Sequence, residues 1–201
     1  MTIYDFNTAQ GYELAKRKHA NDYLFISEYF IAKIAQLHPR SILDIGGGSG
    51  YFPVPNNCAY YLLEPSPLIT FCRDSSIYKL PMEWSEYRSS ITEQRFDLIL
   101  ANGVLFEHLR FEAEDFVHIH KILNDNGYFL FTAVKKYSKN RLRQFLFDKG
   151  FWWRGLYKNF TDYDELKNLI NRSLFDLKIW EFTHPDGGWT GAHYIVLLRK
   201  K

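Results

Sequence analysis

Ser41-Ile42-Leu43-Asp44-Ile45-Gly46-Gly47-Gly48-Ser49-Gly50 is the stretch on which the reading of this chain turns. A short apolar run with one acidic residue passes straight into a glycine cluster, the pattern of a buried strand emptying into a loop. Glycines there admit positive φ and let a ligand lie against main chain without meeting a Cβ. Two nucleotide loops can be tested at once. A phosphate-binding P-loop needs Lys and then Ser or Thr after its last glycine, but Tyr51-Phe52 follow Gly50. The dinucleotide fingerprint needs glycine at its first, third and sixth positions; counted from Gly46 the sixth is Tyr51, which disfavours NAD.

Outward from the loop, helical and strand patterns alternate. Asp22 to Leu37 has helical spacing and stops at Pro39. Tyr60 to Glu64, Ile77 to Leu80, Phe96 to Ala101 and Gly127 to Val134 read as further strands, with a helix from Glu112 to Leu123. Asp162 and Glu165 resemble a capping box that opens a helix. Phe175 to Phe182 and His193 to Arg199 read as a final strand pair around Pro185-Asp186-Gly187-Gly188. The expected fold is α/β: a Rossmann-like, doubly wound sheet, mostly parallel, with an antiparallel C-terminal edge strand. Such sheets bind ligands at the carboxyl ends of their strands.

The chain of 201 residues has room for one domain, expected to span 1–201. Apolar residues at 46% and charged residues at 24% fit a globular chain, and a net charge of +2 offers no bulk field for nucleic acid. No apolar run reaches the ~18 residues of a membrane span. The N-terminus carries no basic-then-apolar leader, so the expected location is cytoplasmic. Cys58 and Cys72 make no disulfide framework, and no metal-ligand spacing is present, so no metal is expected.

Glu64 closes the second strand, where a carboxylate can accept hydrogen bonds from ribose hydroxyls; a solvated strand end is the plainer alternative. With Glu64 in place, the chain resembles the class I S-adenosylmethionine-dependent methyltransferases. The matching segments are Leu43 to Gly50, Leu63-Glu64-Pro65-Ser66, Phe96-Asp97-Leu98-Ile99, Val104-Leu105-Phe106-Glu107-His108-Leu109, Gly127-Tyr128-Phe129-Leu130-Phe131 and Phe160-Thr161 through Leu166. They occur in the family's order and span roughly Ser41 to Arg199. The resemblance implies S-adenosylmethionine as cofactor. Asp44 with Gly46, Gly47, Gly48 and Gly50 would surround its methionine and sugar portions, and Glu64 would hold the ribose. Glu83 and Trp84 would flank the adenine, and Asn102 and Gly103 would line the reacting centre.

One departure stands out. The family runs a helix from the glycine loop to the second strand, but here Pro53 and Pro55 interrupt Tyr51 to Ala59. Proline costs ~3 kcal/mol inside a helix, so a single turn at most is expected. The cofactor's carboxylate would then need Arg17 or Tyr12.

Methyl transfer demands alignment more than metal chemistry, and a hydroxyl or ammonium acceptor must also lose a proton. His108, just past the fourth strand, is the candidate catalytic base, against the alternative that the family motif uses that position structurally. His118 and His120, two apart on a helix, point in different directions, and His193 and His184 are weaker candidates. The nucleobase amino-methylating motif of Asp/Asn-Pro-Pro-aromatic is replaced by Asn102-Gly103-Val104-Leu105, which argues against adenine or cytosine amino groups.

Lys135 to Phe160 carries eight cations against Asp148, a net +7 that leaves the remainder at −5. Aromatic residues such as Phe151, Trp152 and Trp153 are interleaved with those charges. Three readings compete for 135–160: a solvated amphipathic helix, a lid over an anionic or aromatic small-molecule acceptor, and a contact surface for RNA or an anionic membrane. Residues 1–40 form an expected N-terminal helical flap. Methylation of a small-molecule oxygen or nitrogen is the leading function. An RNA or protein methyltransferase, or a non-catalytic binding module on the same fold, is the alternative, and nucleic acid is not favoured.

Overall fold

The computed structural model describes residues 20–90, 93–105, 109–135, 161–183 and 192–201. They divide into two compact units between Asn102 and Gly103, and the seven strands make a mixed sheet of the Rossmann-like kind. Outside the described residues lie His108, His184, the expected turn at 185–188, Arg17, Tyr12 and residues 1–19 of the expected N-terminal flap. All of the basic segment except Lys135 lies outside them too.

The first unit opens with α1 (Ala20–Leu37), whose Ile26, Phe30 and Ile34 recur every fourth residue and are buried. His38 at φ 47° ends the helix ahead of Pro39. Then follow β1 (Ser41–Ile45), β2 (Ala59–Leu63), β3 (Ile77–Leu80), α2 (Trp84–Ser89) and β4 (Phe96–Ala101). The strands lie in the order β3-β2-β1-β4, with every pair parallel. β1 and β4 are buried on both faces, as parallel strands between two layers are. At their N-terminal ends the Arg40 N–H donates to Asp97 Oδ2 at 2.8 Å, and the Asp97 N–H to Ser41 Oγ at 3.0 Å. The acidic residue of the Phe96-Asp97 motif therefore stitches β4 to the entry of β1, away from the glycine turn.

No helix forms at 51–58. The prolines forbid it, and packing supplies the anchor instead: Phe52 is buried and stacks on Phe30 of α1 at 5.4 Å. Two features went unread in the sequence, α2 and a 3-10 turn at Pro67–Phe71 that Ser66 caps by accepting from the Leu68 N–H.

The second unit comprises α3 (Ala113–Ile122), β5 (Leu123–Val134), α4 (Tyr163–Leu169), β6 (Phe175–Thr183) and β7 (Ala192–Lys200). Its strands lie in the order β5-β7-β6, antiparallel throughout. β5 starts four residues before its expected beginning, although its register with β7 begins at Tyr128. As expected, Asp162 caps α4, accepting from the Glu165 N–H at 2.8 Å. Phe111, Phe116, Phe129 and Phe131 build the core, with Phe129 and Phe131 stacked at 4.7 Å.

Candidate cofactor site

The glycine turn begins where β1 ends. The Gly46 N–H donates to the Leu63 carbonyl at 2.7 Å, and the Gly50 N–H to the Gly47 carbonyl at 3.0 Å. Gly46, Gly48 and Gly50 have φ of 67°, 60° and 75°, the left-handed region that side chains resist. Gly47 is required for a different reason. A Cβ there would stand 2.1 Å from Asp44 Oδ2 and 2.5 Å from Leu62 Cδ1.

Parallel register pairs Ile42 with Tyr60 and Asp44 with Leu62, so these four residues share one face, and the same alternation carries on to Glu64. Both acids of this face are buried, Asp44 at 1% exposure and Glu64 at 7%. Glu64 is held from two sides: Oε2 accepts from the Gly48 N–H at 3.0 Å and Oε1 from the Ser66 N–H at 2.9 Å. Each oxygen has a second lone pair for another donor. The Glu64 N–H is itself bound to the Leu80 carbonyl at 3.1 Å, which brings the end of β3 alongside.

Asp44 is satisfied on one side only. Tyr60 Oη donates to Oδ2 at 2.7 Å, and Oδ1 is buried with no hydrogen-bond partner among the described residues. Burial pushes the Asp44 carboxyl up to about 7, with the Tyr60 hydrogen bond pulling it down and the charge of Glu64 pushing it further up. Tyr60 was not a candidate from sequence; the signal for it is its even spacing from Glu64 along β2, which becomes informative once β1 is known to pair with β2.

The remaining predicted residues are placed as follows. Glu83 is exposed and precedes α2. Trp84 is 4% exposed and stacks on Tyr87 at 6.0 Å. Asn102 ends the first unit just past β4. In the second unit Gly103, at φ 69°, donates its N–H to the buried Thr132 Oγ1 at 2.8 Å, a partner that sequence reading missed. His120 meets Phe175 edge-on at 5.5 Å, and burial lowers its pKa. Among the described residues no group of three His, Cys, Asp or Glu is placed to hold a metal ion, and no helix is long and apolar enough to cross a membrane.

The arrangement suits S-adenosylmethionine. Its ribose offers two neighbouring hydroxyl donors, which match the free lone pairs of Glu64. Its amino acid end and sulfonium offer positive charge, which matches a buried carboxylate with an unsatisfied oxygen.

A methyltransferase domain family matches residues 16–181. No curated protein matches the chain in sequence. Among solved structures it is similar to the N-methyltransferase NodS of Bradyrhizobium japonicum in complex with S-adenosyl-L-homocysteine, at 13% identity, 86% of each chain covered and TM-score 0.59. It is also similar to an S-adenosylmethionine-dependent methyltransferase of Thermotoga maritima, at 21% identity over 92% of this chain and 98% of that one, TM-score 0.55. The 1,6-didemethyltoxoflavin-N1-methyltransferase of Burkholderia thailandensis has 17% identity over 94% of this chain and 85% of that one, TM-score 0.59. At such identities the solved structures speak for the fold, and the family match speaks for descent. The chain belongs to the methyltransferase-domain family, within the class I superfamily that uses S-adenosylmethionine as cofactor.

Proposed function

We propose that the protein transfers a methyl group from S-adenosylmethionine to an oxygen or nitrogen of a small molecule. The observation that carries this reading is Glu64: a buried carboxylate at the end of β2, oriented by the Gly48 and Ser66 N–H groups, with acceptor capacity left for a ribose. The small-molecule acceptor draws support from the structural neighbour solved with bound 1,6-didemethyltoxoflavin and S-adenosylhomocysteine. Free Cys58 and Cys72 are in keeping with a reducing cytoplasm.

The cofactor supplies an electrophilic methyl group on a sulfonium, whose departure leaves a neutral thioether. The chain's own task is placement. Glu64 grips the ribose, Asp44 balances positive charge, and the glycine turn lets the bound molecule approach the main chain. Holding donor and acceptor in line is worth roughly 7–11 kcal/mol of barrier. Glu83 and Trp84, after β3, are our candidates to flank the adenine, and Asn102 and Gly103 to line the reacting centre. His108 is our candidate to take the acceptor's proton, for which a near-neutral imidazole is suited. The basic, aromatic segment 135–160 is assigned to an anionic or aromatic acceptor, which Arg forks and ring faces recognise well.

Calorimetric titration with S-adenosylmethionine and S-adenosylhomocysteine tests the reading. Micromolar binding is expected, weakened about 10–100-fold in Glu64→Ala, since hydrogen bonds to a charged group are worth about 1.5–3 kcal/mol. Absence of binding to the folded wild type, or binding indifferent to Glu64→Ala, overturns it.

A further inference from the structure

On the face of β1 and β2 that carries Asp44, the buried side chains are apolar except for Asp44, Tyr60 and, just past β2, Glu64. Glu64 has its main-chain donors; Asp44 has Tyr60. The phenol reaches Asp44 Oδ2, the oxygen that also lies against Gly47, and leaves the buried Oδ1 without a hydrogen-bond partner among the described residues. A hydroxyl on that side of the carboxylate fixes its rotamer and favours its charged form.

We propose that Tyr60 is a positioning residue for the cofactor: its O–H anchors Asp44 Oδ2 and thereby holds a charged, oriented carboxylate whose other oxygen faces the cationic amino acid end of the bound molecule. The inference rests on the reading of residues 44–50 and Glu64 as the cofactor cradle, and adds a residue that cradle depends on. Three further facts agree with it. Tyr60 itself is fully buried, and its phenol is pushed well above its ordinary value of 10.0, by burial first and then by the charge of Asp44, so it stays a donor across the working pH range. The titratable groups that act on the pair are Glu64 beside Asp44, and Cys58 and Cys72 beside Tyr60; the one cation that register places on the same face, Lys79 opposite Leu62, gives its ammonium to the Cys72 carbonyl at 2.6 Å. No cation is among the groups that act on Asp44, so a cationic ligand suits it, and a carboxyl pushed up to about 7 answers to small changes in its hydrogen bonding.

The experiment is titration of S-adenosylhomocysteine from pH 6 to 9 into wild type, Tyr60→Phe and Asp44→Asn, each in two buffers of different ionisation enthalpy so that protons are counted. The ligand's own amino group titrates identically in all three. Wild-type affinity is expected to climb as pH rises through about 7, with proton release on binding. In Tyr60→Phe the climb moves up by about one pH unit, so affinity falls about tenfold at pH 6 to 7 and recovers near pH 9. In Asp44→Asn the step and its proton release disappear. A Tyr60→Phe protein that loses affinity equally at every pH, or not at all, overturns the proposal. So does a wild type that binds with the same proton balance as Asp44→Asn, a comparison independent of whether Tyr60→Phe folds. A wild type that binds at no pH refutes the cofactor reading itself, which is a separate and distinguishable failure.

Discussion

β1 and β2 in the first unit bury two carboxylates beside a glycine turn, whereas β5 and its neighbours in the second unit bury phenylalanine rings. Among the described residues the buried charges of the second unit are matched: Asp115 accepts from the Glu112 N–H at 2.8 Å, and Lys200 donates to the Leu123 carbonyl at 2.8 Å. In the first unit Asp44 keeps a buried oxygen unmatched and a carboxyl poised at about 7. Buried polar groups are normally satisfied, so an exception beside the glycine turn is the feature our reading assigns to binding. One unit buries rings and matched charges, and the other carries the carboxylates we assign to the cofactor.

The comparison can be broken in three ways. The largest effect belongs to the hydrocarbon side. Phe129→Ala removes a fully buried ring from the Phe111, Phe116 and Phe131 cluster and is expected to cost about 3–5 kcal/mol in urea unfolding, with cofactor affinity of the folded protein unchanged. A loss of affinity larger than the unfolded fraction explains would show that the two regions are not separable in this way.

Next comes Asp44→Asn, with an effect in the opposite direction. Burial pushes the native carboxyl up to about 7 from its ordinary 3.8, so the native state binds more protons between them. Stability therefore falls as pH rises from about 4 to 7, and above 7 the native state carries the whole penalty of a buried anion. Asparagine cannot ionise. The variant is expected to outlast wild type by on the order of 2–4 kcal/mol at pH 8 and to lose that advantage by pH 4. Denaturant midpoints at the two pH values decide it, and a gain that does not depend on pH would remove Asp44 from the account.

The smallest effect is expected at the rim of the second unit. Lys135 pairs with Glu181 and lies 5.5 Å from the Tyr194 ring centre, with the Glu181 side chain half exposed. Solvent screening limits such a pair, so Glu181→Ala should change thermal stability by less than ~1 kcal/mol, and less still in high salt. A larger loss would mean that the second unit, too, depends on an electrostatic contact.

Elements bounded by strong punctuation were legible in advance. β1 runs from Ser41 to Ile45 between a proline-marked helix end and the glycines, β3 and β4 have the expected limits, and Asp162 does cap its helix. The absence of a helix after Gly50 was legible too, because proline acts locally. β5 was read short at its start, since Asn124-Asp125-Asn126 looks like a turn; Arg199 of β7, donating to Asn126 Oδ1 at 2.6 Å, is a partner no local pattern announces. α2 was missed for a similar reason. Six residues give too little periodicity, and burial of Trp84 and Tyr87 makes up the difference.

What the linear chain determined by itself was the chemistry available: a carboxylate before a bare glycine turn, another carboxylate ending the next strand, and the order of strands and helices that places both at one rim. Those features depend on neighbours a few positions away, where dihedral preference and hydrophobic spacing act directly. What tertiary structure decided was how that chemistry is tuned. Tyr60 finds Asp44 across 16 residues, Gly103 finds Thr132 across 29, and Arg40 finds Asp97 across 57. Strand register brings each pair within hydrogen-bond reach, and register is set by packing the whole sheet, so no local window of sequence contains it.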